Sequence, residues 1–335
     1  MLKCRRLIRS NFTYENSVCD KSHGGKENNI EKLKSTITKT ALKLGKEAEI
    51  YLTKGVSDAT DFVKNYCKTY GAARFIAVGG DGTLSEVLNG VMETEGSEVG
   101  VIPVGTGNDF CRNFDIDCEF DNISLQLQGE SVRCDAIRYK TVVDGVAKSG
   151  YCANMFNIGF DCNVADTTQR IKKDTFLSGS LAYFTSIFVS LVKRKCTHLE
   201  IELDGKKEHE GELLLTSLAN GCFCGGGIKS NPLASVSDGN ININIIKKVP
   251  RLKFVSLLPY YMKGTVLELK GVEKYITSKL AKKITVTPLA GKMIICIDGE
   301  ISDAEKTEFE VVHNAFNFVL PKESKSFARM TNGKD

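Results

Sequence analysis

The stretch at residues 74–91, RFIAVGGDGTLSEVLNGV, constrains the fold more than any other part of this chain. The apolar run FIAV breaks into Gly79-Gly80-Asp81-Gly82-Thr83, and Leu84, Val87, Leu88 and Val91 then recur at helical spacing. A strand that turns on glycines straight into a helix offers backbone N–H groups and the positive end of the helix dipole to an anion, usually a phosphate. Glycine lets the backbone approach such a ligand because no Cβ intervenes. Asp81 sets a carboxylate where phosphates would sit, which is repulsive unless a cation such as Mg2+ comes with them. The ordinary alternative is a glycine-rich strand–helix turn with no ligand, but GGDGT in this setting is more specific than an isolated GxG.

The surrounding sequence extends the same alternation. Residues 2–10 read as a short edge strand, and the polar run up to Gly24-Gly25-Lys26 reads as a loop. Ile30, Leu33, Ile37, Ala41 and Leu44 share one face of an expected helix over 28–44. A strand follows at 49–52, then Ser57 as the expected N-cap of a helix over 58–70, and a further strand at 99–102. Strands alternating with helices imply a doubly wound parallel sheet, whose ligands bind at the carboxyl ends of the strands. A second glycine turn lies there, in VIPVGTGNDF at 101–110. Gly105 and Gly107 allow close approach, Thr106 and Asn108 can hydrogen-bond phosphate oxygens, and Asp109 is either a second carboxylate of the site or a helix N-cap. Asp135, in VRCDAIR, is a third candidate carboxylate or a surface residue of a strand.

From about residue 133 strand-like runs dominate, at 134–139, 151–158, 199–203, 212–218, 241–246, 284–287, 293–297 and 309–312. Asp204-Gly205 and Asp144-Gly145 are turn signals between them. The expectation is an α/β domain over 1–132, with 314–325 as candidates to complete it, and an antiparallel β-sandwich over 133–313. Helices at roughly 172–194 and 250–263 are added to the sandwich, and the active site is expected in the cleft between the domains. The tail after Pro321 is polar.

Composition limits the functional classes. At 335 residues and 42% hydrophobic the chain can bury the cores of two domains. A net charge of +4, from 45 basic and 41 acidic residues, argues against a nucleic-acid binder that works by bulk charge, while permitting contact with anionic lipid. The twelve cysteines include no CxxC pair, so they read as reduced core residues of a cytoplasmic protein rather than a zinc or disulfide framework. The N-terminal residues lack the apolar segment of a signal peptide, and the longest apolar stretch, 176–192, is too short and too polar for a membrane span. The expectation is a chain peripheral to the membrane at most.

Three carboxylates beside a phosphate cradle suggest Mg2+-assisted phosphoryl transfer, in which positioning and charge neutralisation supply most of the rate. Such chemistry also needs a group to take the proton from the acceptor hydroxyl. The strand KMIICIDGEI at 292–301 ends in Asp298-Gly299-Glu300, a candidate for that role, though a DG pair alone is by default a β-turn.

FIAVGGDGTLSEVLNGV followed by VGVIPVGTGNDFCRNF resembles the diacylglycerol-kinase-type lipid kinase family in its bacterial soluble form. The resemblance continues through VRCDAIR, YCANMFNIGFDCNVA, LSGSLAYF, GGGIKSNPLASVSDGNININII and CIDGE, and so covers most of residues 47–301. It implies a Rossmann-like nucleotide domain plus a β-sandwich, and transfer of the ATP γ-phosphate to a lipid hydroxyl with Mg2+, in phospholipid metabolism. Diacylglycerol is the first acceptor; sphingoid bases, ceramide and phosphatidylglycerol are relatives. By motif, Gly79, Gly80, Asp81, Gly82, Thr83, Leu84, Ser85 and Thr106 would bind ATP, with Thr53 of YLTKG nearby. Asp81, Asp109 and Asp135 would hold a water-mediated Mg2+ network, and the base would be Asp298 or Glu300. PLASVSDGN resembles a structural Mg2+ site formed by the Asp238 carboxylate and the carbonyls of Ser235 and Asn240, with Ser237 where Asp often stands. Residues 176–192 and 155–160 would either line an acyl-chain groove or pack in the core. The family opens with an Asn-Pro-x-Ser-Gly phosphate loop; here the corresponding place reads Cys19-Asp20-Lys21-Ser22-His23, then Gly24-Gly25-Lys26, a departure that weakens the expected hold on ATP. Two other readings stay open: an NAD kinase, because GGDGT occurs there too, and a catalytically weakened nucleotide- or lipid-binding protein. A homodimer is left as an expectation.

Overall fold

The structure, a computed structural model, describes residues 9–14, 25–105, 107–114, 118–143, 145–159, 196–297 and 300–331. Two compact units divide the chain: residues 1–134 with 314–335, and residues 135–313.

The first unit is built from β1 (Arg9–Tyr14), α1 (Gly25–Lys43), β2 (Glu47–Leu52), α2 (Asp58–Tyr70), β3 (Arg74–Gly79), α3 (Asp81–Val91), β4 (Glu98–Pro103) and α4 (Ile123–Gln128). All the strands are parallel, in the spatial order β2-β1-β3-β4, with residues 317–318 of the strand Thr307–Leu320 added beside β4. β1 is therefore an interior strand between β2 and β3, not the edge strand expected near the N-terminus. Its order makes β1/β3 the point where the chain changes direction across the sheet, the place at which doubly wound sheets bind ligands.

Both faces of this sheet are covered, which is why β3 is buried at every position and apolar without alternation from Phe75 to Val78. Ile76 and Val78 turn to one side, against Ile37 and Ala41 of α1, Ile102 of β4 and Leu127 of α4. Phe75 turns to the other and meets the Tyr66 ring of α2 edge-on at 5.6 Å. Each such buried side chain contributes roughly 1.5–3 kcal/mol relative to exposure. α2 and α3 pack closely because Gly90 leaves room for Val63; a Cβ at Gly90 would lie 2.6 Å from the Val63 Cβ. Phe110, Phe114 and Phe120 form one aromatic cluster with Phe316 and Phe318, with Phe114 stacked on Phe318 at 5.1 Å. The Gln126 side chain donates to the Val319 carbonyl at 3.1 Å.

At the amino ends of the strands lies a polar network. Arg74 donates to Glu98 at 2.8 Å and to the Gly129 carbonyl at 3.0 Å, Ser131 donates to Glu98 at 2.6 Å, and Lys46 donates to the Leu127 carbonyl. Burial pushes the Glu98 carboxyl up, but Arg74, Ser131 and the Lys46 charge together hold it below its ordinary value. Burial and the neighbouring Arg74 charge lower Lys46.

The second unit is antiparallel. Its strands are β5 (Glu130–Val143, shared with the first unit), β6 (Val146–Cys152), β7 (Met155–Gly159), β8 (Thr197–Leu203), β9 (Lys206–Ala219), β10 (Ile241–Lys247), β11 (Ile276–Ala281), β12 (Lys283–Pro288), β13 (Met293–Ile297), β14 (Glu300–Ala304) and β15 (Thr307–Leu320, likewise shared). The spatial order is β14-β13-β7-β9-β8-β12-β15, with β10 between β9 and β11, and β5 joining β6 to β15. The Asp204-Gly205 turn, with φ of 48° and 77°, closes the β8–β9 hairpin as its sequence predicts. Alternate residues of these strands, among them Leu199, Ile201 and Leu203, Ile241, Ile243 and Ile245, and Ile284 and Val286, build one core with Phe156, Ile158 and Phe309. Helix α5 (Arg251–Lys263) covers a smaller cluster of Leu214, Leu215, Ile246, Val249, Val266, Val272 and Ile276. A last helix, α6 (Lys325–Thr331), follows β15 in the first unit.

Several expected elements change in detail. The run at 151–158 splits at Ala153-Asn154 into β6, which pairs with β5, and β7, which pairs with β9 and β13. β11 and β14 are additional strands. The expected helix at 172–194 lies outside the described residues, as do residues 19–24 of the degenerate phosphate loop, whose last two residues, Gly25 and Lys26, instead open α1. Among the described residues no helix is long and apolar enough to cross a membrane.

Candidate functional site

The parallel register aligns Leu52, Tyr14, Val78 and Ile102 across the first sheet. Thr53, the Gly79–Thr83 turn and the turn after Pro103 therefore leave the sheet at one edge, the carboxyl ends of β2, β3 and β4. The two glycine turns interlock there. Val104 donates its N–H to the Gly79 carbonyl at 3.1 Å, and the Asn108 side chain closes its own turn by donating to the Gly105 carbonyl at 2.8 Å. A Cβ at Gly105 would stand 2.6 Å from the Gly80 Cα, so only glycine permits this approach of backbone to backbone. Asn108 adopts φ of 53°, a left-handed conformation that asparagine tolerates better than most residues.

Asp81 opens α3 and faces the second turn rather than solvent alone. Phe110 donates its N–H to the Asp81 Oδ1 at 3.3 Å. Burial raises the Asp81 carboxyl above its ordinary value, and the backbone N–H groups of Phe110, Asp109 and Asn108 oppose that rise without cancelling it. Asp109 is buried beside it, with the Arg112 guanidinium 3.7 Å from its Oδ1. A Cβ placed on Gly107 would lie 2.7 Å from the Asp81 Oδ2 and 3.5 Å from the Asp109 Oδ2, so the two carboxylates border one small space. Nearby, Gly82 is exposed and a Cβ on it would meet nothing within 4 Å, which leaves the first turn of α3 open to a ligand. Leu84 is a core side chain, Thr83 is buried and Ser85 half-buried, so Leu84 can serve a ligand only through its backbone. Thr53 is buried behind the β2 end. Thr106 lies outside the described residues.

A donor set of two carboxylates bordering one space, one of them raised by burial, suits a hard divalent cation, which would relieve the like charges. Among the described residues no three His, Cys, Asp or Glu side chains converge as a ready-made metal cage.

The start of α2 shows a contact that the sequence does not announce. Ser57 stands at the N-cap position, but with φ of 68° and no side-chain bond to the helix. The Glu86 carboxylate of α3 takes over, accepting from the N–H groups of Ser57 at 2.9 Å and Ala59 at 3.1 Å. That helix terminus is already supplied with an anion.

The remaining expected residues belong to the second unit. Asp135 is fully buried in β5, accepting from the Gly239 N–H at 2.6 Å and paired with His313 Nδ1 at 2.8 Å. Its own N–H donates to the Val236 carbonyl at 2.7 Å, so the turn carrying Ser235, Asp238 and Asn240 is tied to Asp135. Asp238 Oδ1 accepts from the Asn240 N–H at 2.9 Å. Burial raises the Asp238 carboxyl, Asn240 opposes, and the Asp135 charge adds to the rise. His313 was not legible as a partner of Asp135, because 178 positions separate them. Glu300 opens β14 and Asp298 lies outside the described residues. Met155, Phe156 and Ile158 are core side chains, while 160 and 176–192 lie outside the described residues.

Residues 21–139 match the family model for the diacylglycerol kinase catalytic domain, and residues 154–320 match that for the YegS C-terminal NAD kinase beta sandwich-like domain. A Bacillus subtilis (strain 168) protein named diacylglycerol kinase is 30% identical over 291 residues, covering 83% of this chain and 88% of its own length. A solved Bacillus anthracis structure described as a diacylglycerol kinase shares the fold, with TM-score 0.64 at 19% identity, over 94% of this chain and 98% of that one. The resemblance to these relatives thus runs over 83–94% of the chain, the glycine-turn unit and the β unit together. The chain belongs to the diacylglycerol kinase catalytic-domain family and is a kinase.

Proposed function

We propose that the chain transfers the γ-phosphoryl group of ATP to a lipid hydroxyl with Mg2+, and that diacylglycerol is the acceptor to test first. The observation that carries the reading is the interlocked pair of glycine turns, which sets an open helix N-terminus beside two carboxylates bordering one space. In this reading the N–H groups of Gly80, Gly82 and Thr83 hold donor phosphates, and Asp81 and Asp109 hold the cation. A Mg2+ ion held by these two carboxylates would supply charge neutralisation to the transferring phosphoryl group. Gly105 and Asn108 keep the second turn in register with the first, and Asp298 or Glu300 accepts the proton of the acceptor hydroxyl.

Support for the lipid acceptor comes from the name of the 30% identical relative and from the matched domain. The test incubates the purified protein with γ-labelled ATP, Mg2+ and, in parallel reactions, diacylglycerol in mixed micelles or NAD, then separates lipids and nucleotides. Label in the lipid fraction is expected. Label in NADP instead would establish an NAD kinase, and ATP binding without transfer to any acceptor a weakened binding protein. Asp298→Asn and Glu300→Gln together locate the base. One of them is expected to lower the transfer rate at least a hundredfold while ATP binding persists; full activity in both removes the DGE motif from the mechanism.

A further inference from the structure

Helix α5 has two apolar faces where the core needs one. Its inner face carries Phe254, Leu257, Leu258 and Tyr261 onto the satellite cluster of the second unit. Its outer face presents Leu252 at 88% exposure, Val255 at 55% and Tyr260 at 45%, with Pro259 exposed beside them. Residues 252, 255 and 259 recur at helical spacing, so they form one stripe rather than scattered exceptions. Pro259 has no N–H to give the Val255 carbonyl, which is left without its helical partner on this same stripe.

The charges on the helix itself share one sign. The thirteen residues of α5 contain Arg251, Lys253 and Lys263 and no acidic residue. All three cations are exposed and stand in no ion pair among the described residues. Lys229 lies at the carboxyl end of the helix, its N–H donating to the Met262 carbonyl at 3.0 Å. Leucine and valine in the amino-terminal half, set among Arg251 and Lys253, with a tyrosine further along and Lys263 at the last position, are the composition of a helix that lies in the interface of an anionic bilayer.

From this we infer that the outer face of α5 docks the protein on an anionic lipid surface, with Leu252 and Val255 entering the acyl boundary and Arg251, Lys253 and Lys263 meeting headgroup phosphates. A second copy of the chain fits worse. A two-fold contact across this stripe would set two helices against each other that carry only cations and no carboxylate of their own. The inference rests on the reading of the acceptor as a lipid, since a diacylglycerol is reached only at a bilayer.

The test measures vesicle binding apart from catalysis. Wild type and the variant L252E/V255E are sedimented with vesicles of phosphatidylcholine alone and of phosphatidylcholine with phosphatidylserine, at low and high salt. Wild type is expected to bind the anionic vesicles and to release with salt. The variant is expected to bind them at least about tenfold more weakly, with an unchanged melting temperature because both positions are exposed. R251E/K253E, which leaves the apolar stripe intact, is expected to lose the preference for anionic over neutral vesicles. Both variants are expected to keep wild-type activity on diacylglycerol in mixed micelles and to lose it on diacylglycerol in vesicles. Equal vesicle binding by wild type and L252E/V255E overturns the inference, whatever the activity. So does a wild-type dimer in sedimentation that the variant converts to monomer without any change in vesicle binding. Should wild type phosphorylate no lipid while the variant still loses anionic vesicles, the docking face stands and the acceptor reading falls.

Discussion

A methyl group on Gly105 would stand 2.6 Å from the Gly80 Cα, whereas one on Gly82 would touch nothing within 4 Å. The two glycines of the site are therefore constrained by different things, one by the protein's own backbone and the other by whatever occupies the open side of α3. Gly105→Ala is expected to lower stability by about 1–3 kcal/mol, since a neighbouring backbone must move. Gly82→Ala is expected to raise it by about 0.5–1 kcal/mol, because alanine is the better helix residue, and yet to raise the KM for ATP. Chemical denaturation with ATP titration checks the pair; a Gly82→Ala protein with unaltered KM would mean that the donor phosphates lie elsewhere. The residues of these turns were readable from sequence because the glycines and acids that make them are contiguous. Glu86, which caps α2, and His313, which pairs with Asp135, were not, because each acts on a partner far along the chain and neither sits in a pattern of its own.

Among the elements, β3 and β4 are joined at their amino ends by Arg74 and Glu98, opposite the glycine turns. Glu98 is held below its ordinary value of 4.5 in the folded protein, so the unfolded chain takes up its proton first as the solution is acidified. Its contribution to stability is present above that ordinary value and is lost as the pH falls through the folded one. Urea midpoints measured from neutral pH downward are expected to fall more steeply in wild type than in Glu98→Gln, with the two curves converging in acid; parallel curves would show that Glu98 does not carry this dependence. The legibility of the elements follows from what covers them. β3 and β4 have both faces buried and announce themselves as apolar runs. β1, with the polar sequence RSNFTY, reads as peripheral although it pairs on both sides. β11 and β14 mix charged and small residues with few apolar ones, and so give no strand signal. The division of 151–158 into two strands depends on Asn154, whose side chain donates to the Phe223 carbonyl at 2.8 Å and whose own carbonyl accepts the N–H groups of Asn220 and Gly221.

For the molecule as a whole, the first unit is made of two separated pieces of chain and the second of one. The sequence put the change of texture near residue 133 and offered 314–325 to complete the first unit; which partners that return meets was not visible, since a single apolar stretch such as FNFVL carries no address. That return supplies Phe316 and Phe318 to the aromatic cluster, a backbone partner to β4 and the Val319 carbonyl to Gln126. Ending the chain after residue 313 is therefore expected to cost more than the two phenylalanines alone, which at about 3–5 kcal/mol each already approach the stability of a whole domain. Proteolysis and ATP binding of the truncated protein check this, and a protease-resistant, ATP-binding fragment would refute it. The same discontinuity sets an order of events on the ribosome. The unit encoded second can finish folding as soon as residue 313 has emerged, while the unit encoded first must wait with Phe110, Phe114 and Phe120 uncovered until residues 314–320 follow. Synthesis thus inverts the order of the gene, and the unit that carries the two glycine turns, begun first, is completed last.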